Sequence, residues 1–266
     1  MEDQPLIVRE QDAILEVTLN RPQKLNAINR AMAEALYAET LRFADRADLR
    51  VMLIRATGKF FSAGADLTDS TMPDHDQRSM SAFRQWYRRG AGSLHPLFDE
   101  FEAIEKPIVV AHHAACFGGA LEMSLSCDFR LAAASARYAL PETAIGALPG
   151  SGGTSRLTRL TGPHWARWFI MANLDMTADR ALAIGLVHDV YPDAEFDERV
   201  MAFCRHLAAQ PPETVAAAKL AIELTADLDR AQARNVERLA NTALVFGDEH
   251  RGLFRAMLDR LRRSRR

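Results

Sequence analysis

Hydrophobic positions along this chain fall into short runs and helical stripes. Leu6–Val8 and Ile14–Leu19 are β-type runs parted by the polar Arg9–Asp12, a pattern that predicts a hairpin. Asn29 stands where a helix cap is expected, and Met32, Leu36 and Phe43 repeat on one face of a helix through about Ala47. Val51–Ala56, Ile108–Ala111 and Phe129–Ala133 read as compact strands. Asp66–Asp76 is polar, contains Pro73 and has no period, so a mobile loop is expected. A helical stretch then runs from about Gln77 to Ile104, with breaks expected near Gly90–Gly92 and Pro96. Phe117–Gly119 reads as a turn that opens a helix through Ser126.

Strands alternating with helices predict an α/β fold. The chain changes character after about Tyr191. Glu195–Ala209, Glu213–Ala226, Arg230–Phe246 and Glu249–Leu261 all read as helices, the first two separated by Gln210-Pro211-Pro212. The expected organisation is a core over residues 1–192 followed by a helical region over residues 193–266.

Composition narrows the function classes. The 266 residues are 48% hydrophobic and 26% charged with a net charge of −2, which excludes the signature of a disordered chain. Three cysteines, Cys116, Cys127 and Cys204, form no CxxC pair, so neither a disulfide framework nor a zinc cluster is expected. No apolar run reaches membrane-spanning length, and the first residues lack the pattern of a secretory leader. A cytoplasmic protein without a membrane partner is expected. The last seven residues carry five arginines, which suggests either contact with a polyanion such as RNA or a solvated end; the second reading is preferred, and nucleic acid is not expected as a partner.

Several segments could carry chemistry. Lys59–Asp66 follows a strand and consists largely of small residues around Gly64, which suits either a tight turn or close approach of a ligand to the backbone. Cys116–Cys127 opens a helix with two glycines, and the first N–H groups of a helix have no partner within it. Glu122 is the one charge in that stretch, so it needs either a basic partner or a function. Glu142 follows Pro141 and suits the start of a helical turn, where dipole compensation is the simpler reading. Pro149–Thr154 lacks the ending of a phosphate loop and reads as a turn before a helix. His112 and His113 are adjacent on a strand and point to opposite faces, so they read as core or interface residues and not as one metal site. No HExxH or GxSxG motif occurs.

Taken together, these segments resemble the crotonase family, the enoyl-CoA hydratase/isomerase group. Thr18–Ala27, Phe61–Asp66, Phe117–Glu122 with Cys127-Asp128, Leu140-Pro141-Glu142 and Pro149–Leu157 match its motifs in order, and the likeness runs from about Leu6 to Leu261. The resemblance implies a spiral of repeated β-β-α units with a C-terminal helical region that forms trimers, often paired into hexamers. It implies an acyl-CoA thioester as substrate, with coenzyme A part of that substrate and no separate cofactor or metal. The backbone N–H groups of Ala65 and Gly119 would hold the thioester oxygen. Lys24, Ala27, Ser62, Ala63, Asp66 and Leu67 would line the coenzyme A. Glu122 and Glu142 match the two glutamates of hydratases, whereas isomerases often keep only the second.

The expected activity is therefore hydration of a 2-enoyl-CoA, with 3,2-enoyl-CoA isomerisation as the alternative. A non-catalytic RNA- or CoA-binding role is a more distant one. Departures from the family pattern are His113-Ala114 in place of Asn-Gly, Cys116-Phe117 in place of Ala-Leu, and Ala120 where Gly is frequent. Residues 68–95, expected to shape the acyl pocket, hold Arg78, Arg84, Arg88 and Arg89, which suits either a polar acyl group or a solvated helix face.

Overall fold

A computed structural model describes residues 4–68, 79–89 and 93–264. Most of the expected Asp66–Asp76 loop, the break at Gly90–Gly92, Arg78 and the last two arginines lie outside the described residues.

Strands β1 (Leu6–Gln11) and β2 (Ile14–Leu19) form the expected antiparallel hairpin. The sheet grows in parallel from β2 through β3 (Val51–Ala56) and β4 (Ile108–His112). After the two-residue strand β5 (Cys116–Phe117), β6 (Phe129–Ala133) pairs in parallel with β4. A second, three-stranded sheet joins β5, β7 (Arg137–Ala139) and β8 (Met176–Thr177), and β9 (Asp189–Tyr191) closes the main sheet beside β6.

Burial on both faces explains why the parallel strands read as continuous apolar runs. Leu15, Val17, Met52, Ile54, Ile108 and Val110 face one core, together with Met32, Leu36 and Phe43 of helix α1 (Arg30–Asp45). The alternate residues Ile14, Val51, Leu53, Val109 and Ala111 face the other. Asn29 caps α1, its side chain accepting from Met32 N at 3.0 Å.

The long stretch before β4 divides into α2 (Met80–Arg89) and α3 (Leu94–Ala103). Pro96 does not break α3. It is the third residue of that helix, where its missing N–H would have had no intrahelical acceptor. Helix α4 (Gly119–Leu125) is buried at every position. Helix α5 (Gly153–Ile170) is interrupted at Gly162, whose φ of 80° is non-helical, and α6 (Ala178–Ala183) follows. Helix α7 (Phe196–Ala208) covers the second sheet face with Phe196, Val200 and Cys204.

The chain divides into two compact units, one of residues 1–104 and 108–208, the other of residues 105–107 and 209–266. The second contains α8 (Pro212–Thr225), α9 (Arg230–Phe246) and α10 (Asp248–Ser264), matching three of the expected helices. Leu239, Phe246 and Ile222 of these helices are 74%, 75% and 70% exposed. No described helix is long and apolar enough to cross a membrane.

Candidate active site

Two backbone segments meet where the glycine motifs predict a turn. The segment after β3 is stitched on one side to residues 25–28: Ala63 N donates to Leu25 O, Ile28 N to Gly64 O and Asp66 N to Ile28 O, at 2.9, 2.7 and 3.0 Å. On the other side, Ser62 N donates to Ala115 O and Phe117 N to Ser62 O. In the parallel bridge between Ile28 and Ala65, the neighbours of Ala65 make the bonds, so its own N–H points away from Ile28.

Gly64, at φ 97°, permits the contact of the two segments. A Cβ there would lie 2.8 Å from Phe117 O and 3.0 Å from Gly119 N. Ala65 N lies 3.3 Å from the position a Cβ on Gly119 would take. Gly119 opens α4, so its N–H is one of the donors the helix itself leaves without an acceptor. The two expected oxyanion donors are thus brought together.

Glu122 is only 4% exposed, one turn into α4. Among the described residues no basic side chain forms an ion pair with it. Its Oε2 accepts from Ser151 N at 2.7 Å and Gly153 N at 2.8 Å, where the Pro149–Thr154 turn enters α5. A Cβ on Gly153 would lie 2.6 Å from Glu122 Cγ, so the cradle admits only glycine. Burial pushes the Glu122 carboxyl up to about 7, with the charge of Glu142 adding; the two N–H groups and Arg156 act the other way. Arg156 donates to Ser151 O and is held by Glu102 and Asp99, which fastens the cradle.

Glu142 sits on the short 3-10 turn Pro141–Ile145. Its Oε1 lies 2.9 Å from where a Cβ on Gly118 would stand, and Gly118 has φ 53°. Its Oε2 is shielded from water and has no hydrogen-bond partner among the described residues. Burial raises this carboxyl as well. Glu142 thus reaches the Gly118 turn from across it, while the Glu122 carboxyl, on the helix that turn opens, lies at the Ser151–Gly153 cradle and feels the charge of Glu142.

The residues expected around coenzyme A fall into two groups. Ser62 is buried, its hydroxyl donating to Asn26 O and accepting from Gly64 N. Ala63 belongs to the stitched segment, and Asp66 is ion-paired with Arg21 at 2.9 Å while Arg21 also donates to Ala27 O. Lys24 is exposed on the 3-10 turn Pro22–Lys24, and Leu67 is 67% exposed. His112 lies in the core, bonded to Tyr138 and Ser124, and burial lowers its pKa to about 3.

Sequence reasoning assigned no individual role to Tyr87, His95, Ser151, Gly153 or Arg156, although the first two lie in the 68–95 segment expected to shape the acyl pocket. The last three lie in the Pro149–Leu157 motif, whose glycines were the available signal. Tyr87 had no signal of its own, being one of three aromatic residues, with Phe83 and Trp86, on α2. Arg84, Arg88 and Arg89 of that helix are exposed.

Comparison with known proteins shows the family and the fold. The sequence profile of the enoyl-CoA hydratase/isomerase family matches residues 9–253. The chain is 31% identical over 249 residues to the 2,3-dehydroadipyl-CoA hydratase of Escherichia coli, covering 93% of each chain. It is 33% identical to the short-chain-enoyl-CoA hydratase of Clostridium acetobutylicum, over 88% of this chain and 87% of that one. An enoyl-CoA hydratase structure from Bacillus anthracis superposes with a TM-score of 0.87 at 27% identity, covering 97% of each chain. With its family profile matched over most of its length and its fold shared with solved relatives, the chain belongs to the enoyl-CoA hydratase/isomerase, or crotonase, family.

Proposed function

We propose that the protein is an enoyl-CoA hydratase that adds water reversibly to the double bond of a 2-enoyl-CoA. The observation that carries this reading is the pair of buried, mutually interacting carboxyls, Glu142 against the Gly118 turn and Glu122 on the helix which that turn opens, where the N–H groups of Ala65 and Gly119 come together. Water addition needs one group to take a proton from the attacking water and another to supply a proton at Cα. Glu122 is the base. Its two N–H donors favour the ionised form, and a carboxyl near 7 matches neutral pH. Glu142 is the acid: burial raises its carboxyl, against the opposing hydrogen bond from its own backbone N–H, and its Oε2 is shielded from water with no partner among the described residues.

During the reaction the thioester oxygen gains charge as water attacks Cβ. The Ala65 and Gly119 N–H groups hold that oxygen, and Glu142 then delivers its proton to Cα. Dehydration runs the same steps backwards. Coenzyme A lies along Ala27 and Ser62–Leu67 with Lys24 near its phosphates. It arrives as part of the substrate, with no separate cofactor. The exposed apolar residues of the second unit suit a homotrimer or homohexamer.

Several relatives are named for hydration or dehydration, among them the carnitinyl-CoA dehydratase of Salmonella typhi, 35% identical over 81% of this chain and 78% of that one. Isomerisation needs only one carboxyl, so Glu122→Gln separates the two activities. The variant should lose hydration by about 10²-fold or more, the scale of a general acid–base group. Retained hydration with Glu122 removed would refute the two-carboxyl mechanism.

A further inference from the structure

Tyr87 of α2 has no part in the steps above, yet its hydroxyl stands at the cradle of Glu122. It bonds the Ser151 side chain and feels the charges of both Glu122 and Glu142. A Cβ on Gly150 would collide with that hydroxyl, so glycine at this position makes room for it. His95, in the first turn of α3, meets the Tyr87 ring edge-on, with centroids 4.8 Å apart and planes at 79°. Burial lowers the His95 pKa, while the charge of Asp99 and a hydrogen bond to the Gly150 backbone act the other way. Its Nε2 is shielded from water and has no hydrogen-bond partner among the described residues.

This neighbourhood is unlike a wall for a plain alkyl chain. A buried ring nitrogen without a partner is destabilising, and an alkyl group would leave it so. A phenol carries one proton and two lone pairs, so the bond to Ser151 leaves hydrogen-bonding capacity. The missing partner is also uncharged. A carboxylate would be repelled by Glu122 and Glu142, and Arg156 is already committed to Glu102 and Asp99.

We infer that Tyr87, backed by His95, selects acyl groups bearing a neutral oxygen, hydroxyl or carbonyl, on the carbon next to the reacting double bond. The position follows from the Tyr87 hydroxyl standing at Gly150, next to the Ser151 N–H that holds Glu122, the base of the proposed reaction. This inference rests on the acyl-CoA reading and adds the class of acyl group.

The test uses saturated thioesters, so that binding is read without turnover. Affinities of γ-hydroxybutyryl-CoA and butyryl-CoA are measured by calorimetry for the wild type and Tyr87→Phe, which keeps the ring. The wild type should bind the hydroxylated thioester about three- to tenfold more tightly, the worth of one net hydrogen bond. That ratio should fall to about one in Tyr87→Phe. A wild-type ratio near one, or a preference surviving in the variant, would overturn the inference. So would equal weakening of both ligands by the variant, since Tyr87 would then only prop the Ser151 loop. Failure of both thioesters to bind the wild type would overturn the acyl-CoA reading along with it. Selective binding without hydration of the matching enoyl thioesters would overturn the hydratase reading alone.

Discussion

At the scale of single residues, the molecule is organised around a carboxyl held where water is scarce. Burial raises the Glu122 pKa above its value in an unfolded chain, so the folded state prefers the protonated form. Its contribution to stability is fully present below the unfolded pKa and is lost as pH rises through about 7. Glu142 shifts the same way. Glu122→Gln removes the penalty of ionisation, so its melting temperature should gain on the wild type between about pH 5 and about pH 8.5. For a chain of this size each kcal/mol is worth roughly 2–4 °C. Thermal melts at the two pH values check this, and a gap that does not change with pH would contradict it. Because the carboxyls share one dry site, the rate of hydration should follow a bell-shaped pH profile whose limbs belong to the pair. A flat profile with chemistry rate-limiting would count against coupled acid–base roles.

At the scale of elements, the site depends on glycines that let backbone meet backbone. Gly118 holds φ 53°, and a methyl there would meet Glu142 Oε1 at 2.9 Å. Gly118→Ala should therefore turn the N-terminus of α4 and lower kcat by about 10²–10³-fold, the loss typical of one oxyanion donor. Steady-state kinetics alongside circular dichroism would read this, and near-wild-type kcat in a folded variant would refute it. Asn29→Ala tests the helix that follows the Ile28 stitch: losing the α1 cap should cost about 1 kcal/mol, visible as a lower melting temperature. The larger elements were legible in the sequence for a physical reason. Val51–Ile54 is buried on both sides of the sheet, so every position is apolar, and α1 announced itself by Asn29 and its stripe. Strands β5 and β8 are two residues long, too short for any period, and exist through pairing with β7. Glu122 stood out as a lone charge in an apolar helix. Tyr87 did not, because its role depends on α2 placing it against a loop some sixty residues further along the chain.

At the scale of the whole molecule, the two compact units differ in how they use apolar residues. The first encloses two cores on either side of its main sheet. The second leaves large apolar side chains such as Leu239 and Phe246 in contact with solvent, a state that association relieves. Sedimentation should therefore give more than the mass of one chain, three or six times it for the proposed homotrimer or homohexamer, and Leu239→Glu with Phe246→Asp should shift it towards smaller species. A wild-type monomer would contradict this. The central claim is that Glu122 and Glu142 together hydrate an enoyl thioester, and the most direct measurement follows the conjugated thioester absorbance of crotonyl-CoA with the intact protein, Glu122→Gln and Glu142→Gln in parallel. The account predicts loss of absorbance with the wild type and its abolition in each variant. Undiminished loss in either variant, or none with the wild type, would contradict it.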